Sequence, residues 1–201
     1  QSFGLANTGE RENLELGENI YAVRRHDYYN DCSWVFIRNM NQLDVVGQVC
    51  PTYDDTLHSS PFTLHPFDMK IMAENLQLNA CKIEFSDVEI FARVKNETDE
   101  VLFMIADKNA NIYLDVNGEK IIVSGDKKDY ENVKFEKDGK TTQFLFITQE
   151  LADRTWVLED KVIFNADFVY PNGRIALDKT TEVAYYDLKN GFSKKYFKFQ
   201  E

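Results

Sequence analysis

The densest set of side chains able to do chemistry is Tyr53, Asp54 and Asp55, followed by His58 and His65. A phenol, two carboxylates and two imidazoles could hold a ligand, pass a proton or reach toward a metal ion. A mononuclear metal site needs three or four such groups converging on one ion at about 2.0–2.3 Å. Spacings of three and seven residues in a proline-punctuated stretch do not enforce that convergence, and no HExxH or HxH pattern accompanies them. The five residues therefore stand as candidate binding residues, and neither a metal nor a cofactor is expected.

Other patterns resolve into turns. His26-Asp27, followed by Tyr28-Tyr29, could form a dyad only if the two side chains faced each other, and neighbours on a strand point to opposite faces. Asp107-Lys108-Asn109-Ala110-Asn111 opens like a calcium loop. It departs from that pattern at Ile112, where glycine belongs, and at Gly118, where glutamate belongs. No nucleophile elbow and no glycine-rich phosphate loop is present.

Three cysteines, Cys32, Cys50 and Cys81, allow one bridge with one thiol left over. Residues 32–38 (CSWVFIR) and 44–50 (DVVGQVC) read as two strands around an Asn-rich turn. Folding them about Met40-Asn41-Gln42 sets Arg38 opposite Asp44 and Cys32 opposite Cys50. Residues so placed lie about 4.5–5.5 Å apart at Cα, which suits a disulfide. The expectation is a Cys32–Cys50 bridge with Cys81 free. That bridge, and a start at QSFGLANTGE without an initiator Met, lead us to expect a secreted or periplasmic protein.

The elements that must carry these residues are strands. Asn117-Gly118, Asp138-Gly139, Asn172-Gly173 and Asn190-Gly191 each sit between β-rich runs and mark hairpin turns. The first centring puts Asp115 opposite Lys120, Leu114 opposite Ile121 and Tyr113 opposite Ile122. The last puts Asp187 opposite Lys194 and Tyr185 opposite Tyr196, and the second puts Lys137 against Lys140. Residues 156–170 alternate as one long half-buried strand. A phase change near Ser86-Asp87 reads as a bulge, and the strands from about Lys82 to Phe199 as a nearly continuous antiparallel meander. In the segment from Pro51 to Ala80, Asp68 as N-cap with Met69, Met72 and Leu76 on one face predicts a short helix near residues 68–78.

The fold expected is all-β: a single antiparallel β-sandwich or partly closed up-and-down barrel. Residues 1–19 form an extended acidic arm, and 20–201 form one β domain with an irregular excursion at 51–80. The 201 residues carry a net charge of −11, of which residues 1–100 hold −9. Such acidity argues against a dedicated nucleic-acid binder, and no apolar run is long enough for a transmembrane helix. The function expected is a non-catalytic binding protein, engaging a protein partner, for instance a basic one, or a small ligand through loops and an acidic face. The alternative is a hydrolase or metal-dependent enzyme using the 51–80 loop.

Overall fold

The computed structural model describes residues 11–14, 16, 20–51, 57–158, 161–177 and 182–197. In chain order the first strands are β1 (Arg11–Leu14), β2 (Ile20–Asp27), β3 (Cys32–Asn39), β4 (Val45–Gly47), β5 (Phe62–Leu64) and β6 (Met69–Gln77). Then come β7 (Lys82–Ser86), β8 (Ile90–Lys95), β9 (Asp99–Ile105), β10 (Asn111–Val116), β11 (Glu119–Ser124), β12 (Asn132–Lys137) and β13 (Lys140–Ile147). After the helix α1 (Gln149–Ala152) follow β14 (Trp156–Val157), β15 (Val162–Phe164), β16 (Phe168–Val169), β17 (Ile175–Ala176), β18 (Glu182–Asp187) and β19 (Gly191–Tyr196).

The strands form a large sheet in the order β1-β2-β3-β6-β7-β10-β11, a middle sheet β12-β13-β9-β8, and a third sheet β14-β15-β18-β19. Two ribbons, β4-β5 and β16-β17, complete the set. The fold is all-β and sandwich-like, with no closed barrel among the described residues. All pairings are antiparallel except one: β9 and β13 run parallel, from Asp99 opposite Thr141 to Ile105 opposite Ile147.

Alternation along the strands builds four cores. One face of the large sheet (Trp34, Ala73, Ile83, Ile112, Leu114) packs on Leu102, Met104, Phe144 and Phe146 of the middle sheet. Its other face (Val35, Ile37, Met72, Phe85) is covered by Val49, Phe62 and Leu64. The second face of the middle sheet (Val101, Phe103, Leu145, Ile147) meets Val162, Phe164, Ala184 and Tyr186. Ile163 and Val183, on the far side of the third sheet, pack with Val169 and Ile175 of the last ribbon. The result is a stack of five β layers.

Several expectations are corrected here. Residues 69–77 are strand β6, not helix, and the short helix lies at Gln149–Ala152, capped by Thr148, whose side chain accepts from the Leu151 amide. The cause is Asn75, held at φ 58°. There the alternation of faces slips by one, so Met72 and Leu76, which the helical reading put on one face, enter cores on opposite sides of the sheet. The register of β7 against β10 shifts beside it, between Tyr113 and Leu114. The break after Ser86 is therefore a change of sheet, not a bulge. The expected meander from Lys82 onward is spread over three sheets and the β16-β17 ribbon. The expected long strand at 156–170 is cut into β14, β15 and β16. Of the acidic arm, Arg11–Leu14 pairs with β2 as β1, while residues 1–10, 15 and 17–19 lie outside the described set.

The cysteine hairpin does not form. β3 is flanked by β2 and β6, and β4 pairs with β5. Cys32 points into the core between the large and middle sheets. Cys50 lies over the opposite face, where its carbonyl accepts from Arg24 Nη2 at 3.1 Å. The sheet stands between them, and none of Cys32, Cys50 and Cys81 is in a disulfide.

Candidate functional site

Tyr53, Asp54 and Asp55 lie outside the described residues. His58 is exposed, and His65 pairs its Nδ1 with Asp44 Oδ1 at 3.0 Å, a carboxylate not among the expected set. Both partners are solvent-exposed, and the hydrogen bond that His65 donates to Asp44 holds the imidazole above its usual pKa. Among the described residues no group of three or more His, Cys, Asp or Glu side chains is placed to hold a metal ion.

Much of the excursion serves as a cover. Phe62 and Leu64 are buried on the large sheet, and two polar ties fasten the segment. Asp87, 1% exposed, accepts from the Ser60 amide at 2.6 Å and the Asn111 amide at 2.5 Å. Burial pushes its carboxyl pKa up, and those two amides pull against that rise. Arg24 forks onto Glu74 (2.8 and 3.0 Å), reaches Glu12 at 2.7 Å and holds the Cys50 carbonyl. Lys70 contacts Asp107 at 3.3 Å beside a cavity of about 210 Å³ lined by Ser60, Thr63 and Asp87. With both oxygens engaged by backbone, Asp87 anchors the loop.

The more informative place is the other end of the large sheet. The β2–β3, β6–β7 and β10–β11 turns gather there, because β3 neighbours β6 and β7 neighbours β10 in antiparallel order. The β2–β3 turn carries Tyr28 and Tyr29, 57% and 80% exposed. Its conformation is fixed from beneath by Asp27, which is 1% exposed. Asp27 Oδ1 accepts from the Tyr29 amide at 3.0 Å and the Asn30 amide at 3.3 Å, and Oδ2 accepts from Asn30 Nδ2 at 2.6 Å. This is an Asx turn, a fold that Asp and Asn favour because the short side chain reaches its own backbone.

Two further ties stiffen the tip. Asn75, the residue that disrupts β6, donates from Nδ2 to the Asp31 carbonyl at 2.7 Å. The His26 ring meets Tyr28 edge-on at 4.8 Å and shares a 3.2 Å contact with Ser33 Oγ. Asp31, with its side chain 88% exposed, adds a carboxylate to the rim. Sequence reasoning passes over this tip because a loop after a strand is ordinary. The usable signal is two consecutive tyrosines bracketed by Asp27 and Asn30-Asp31, the residues of a tight turn, where aromatics have no core to enter.

No protein-family model matches this chain, and no curated protein matches it. No helix among the described residues is long and apolar enough to cross a membrane.

Proposed function

We propose that this chain is a non-catalytic binding protein that engages a protein partner through the β2–β3 tip. The observation that carries the reading is the fixed display of Tyr28 and Tyr29 on a turn anchored by buried Asp27. Tyrosine is a favoured interface anchor because it offers a large contact area with few rotatable bonds and a polar end. A turn already rigid before binding loses little entropy on contact. Asp31 on the rim and the net charge of −11 suit a basic partner and speed its encounter.

A photo-cross-linking residue placed at Tyr29 tests this in extract of the source cells. The expected result is a discrete adduct that disappears with Tyr28→Ala and is not formed by the same cross-linker at exposed Ile122. Adducts that are diffuse, or equally strong from Ile122, would sink the proposal. Stoichiometric metal retained by purified protein through dialysis would instead favour an enzyme built on the 51–80 loop.

A further inference from the structure

Lys70 on β6 and Asp107, in the β9–β10 connection, form an ion pair unlike the other lysine pairs among the described residues. The Lys70 side chain is only 11% exposed, whereas Lys120, Lys134 and Lys194 reach their carboxylates while 61%, 51% and 42% exposed. We propose that Lys70 and Asp107 join covalently, through an isopeptide bond between Nζ and Cγ that the folded chain forms by itself, with Glu89 carrying the proton.

Both reacting groups are held in place. Lys70 Nζ stands 3.3 Å from Asp107 Oδ2 and 5.9 Å from the centre of the Phe62 ring, beneath the cover that β5 makes. A small rotation of the carboxyl brings Cγ to the separation of a reacting pair, about 3–3.5 Å. The Asp107 amide donates to the Gly125 carbonyl at 3.0 Å, and its carbonyl accepts from the Ala110 amide at 3.1 Å. Its Oδ1 accepts from the Asn109 amide at 3.0 Å. That last contact has a chemical use. Attack at Cγ turns Oδ1 into an oxyanion, and a backbone donor already points at it.

The second observation is a pair of carboxyls disposed to hold protons. Burial raises the pKa of Glu89 and of Asp87, and in both the Lys70 charge works against the rise, so all three share one environment. Asp87 is engaged by the Ser60 and Asn111 amides. The Glu89 carboxyl makes no hydrogen bond among the described residues, which leaves it able to move a proton.

The step balances without an outside reagent. A proton passing within the pair gives a neutral amine and a protonated Asp107. The Nζ lone pair adds to Cγ, Glu89 gives a proton to Oδ2 and takes one from Nζ, and the Cγ–Oδ2 bond breaks to release water. An amide replaces the ion pair, and nothing is oxidised or reduced. Free amines and carboxylates do not condense in water, but groups held together reach effective molarities of about 10⁵–10⁸ M. The bond would tie the large sheet to the connection leaving the middle sheet, a staple in a chain whose cysteines make no disulfide.

Intact-mass measurement of the purified full chain reads the step directly. The expected mass is one water below that of the sequence, with a protease digest giving two peptides joined through Lys70 and Asp107. Asp107→Asn should join as well, now with loss of ammonia in the same peptide pair, an outcome that a merely electrostatic contact would not give. Lys70→Arg, which keeps the charge, and Asp107→Ala should carry their full mass and melt at a lower temperature. Glu89→Gln should join about a hundredfold more slowly, leaving full-mass chain after purification.

A full-mass unsubstituted chain that is folded by circular dichroism overturns the proposal. So does a water loss that maps to other residues or survives in Lys70→Arg. Undiminished joining in Glu89→Gln would overturn the assignment of the proton carrier.

Discussion

At the residue scale, burial decides what each titratable side chain can do. The Cys32 and Cys81 thiols are pushed up to about 12, burial being the first cause, with Asp27 adding to it at Cys32 and Glu100 at Cys81. At pH 8 the reactive thiolate is then on the order of one molecule in ten thousand. Both should resist a thiol reagent in the native protein and react as it unfolds, read by mass spectrometry of labelled peptides; prompt native labelling of either would overturn this.

His65 behaves in the opposite way, because its surroundings favour the charge. Its imidazolium faces Asp44, and the hydrogen bond holds its pKa above the usual 6.5. A raised folded-state value means the pair's contribution is full below the ordinary histidine pKa and is lost as pH rises through the raised one. NMR titration should place the His65 midpoint above 6.5, and Asp44→Asn should return it toward about 6.5. An unchanged midpoint in that variant would remove Asp44 as the cause. These partners were not readable in the sequence, since Asp44 lies twenty-one residues away across a loop with no local pattern to announce it.

At the element scale, two buried ties fix how strands and loops meet. Arg24 on β2 and Glu74 on β6 join across β3, with side chains 8% and 2% exposed. Arg24→Ala would leave Glu74 charged and alone and should cost about 3–5 kcal/mol in urea unfolding, whereas replacing both by apolar residues should cost much less. A loss under 1 kcal/mol would show that water reaches the carboxylate. Asp87→Asn keeps the shape but offers one acceptor to two amides, so the excursion should loosen at a cost of about 1–3 kcal/mol, seen as faster exchange of the Ser60 and Asn111 amides.

Local signals were legible where local chemistry rules. The Asn117-Gly118 hairpin has the register expected from its turn, with Asp115, Leu114 and Tyr113 opposite Lys120, Ile121 and Ile122, and Lys137 does face Lys140. The Asn190-Gly191 turn does not follow that rule. Asp187 accepts from the Lys189 and Asn190 amides, Gly191 takes φ 71°, and Asp187 sits opposite Gly191 with Ala184 opposite Lys194. An Asx turn at Asp187 outweighed the two-residue loop, and Lys194 pairs with Glu182 instead. The tyrosine tip rests on the same kind of turn, which is why its rigidity could not be read before the partners of Asp27 were known.

At the scale of the whole molecule, the layer order follows from which strands are buried on both faces. β9 and β13 have inward residues on each side: Leu102, Met104, Phe144 and Phe146 toward the large sheet, Val101, Phe103, Leu145 and Ile147 toward the third. Runs such as VLFM and FLFI show no alternation, the mark of a strand covered twice. That reading was available in the sequence. Their parallel pairing was not, because it joins residues forty-two apart that no single turn connects.

Phe103 couples the last layers, its ring 5.6 Å from both Phe164 and Tyr186. We therefore expect the described stack to unfold as one cooperative unit, and its two tryptophans allow the test. Trp34 lies between the large and middle sheets, while Trp156 packs on the outer side of the third. In a Trp34→Phe chain, fluorescence reports Trp156 alone and far-UV circular dichroism reports every sheet. The two should lose signal at the same urea concentration, and Phe103→Ala should shift both together by a loss of about 3–5 kcal/mol. A Trp156 transition that precedes the dichroism change would instead show that the third sheet and the β16–β17 ribbon fold as a separate unit.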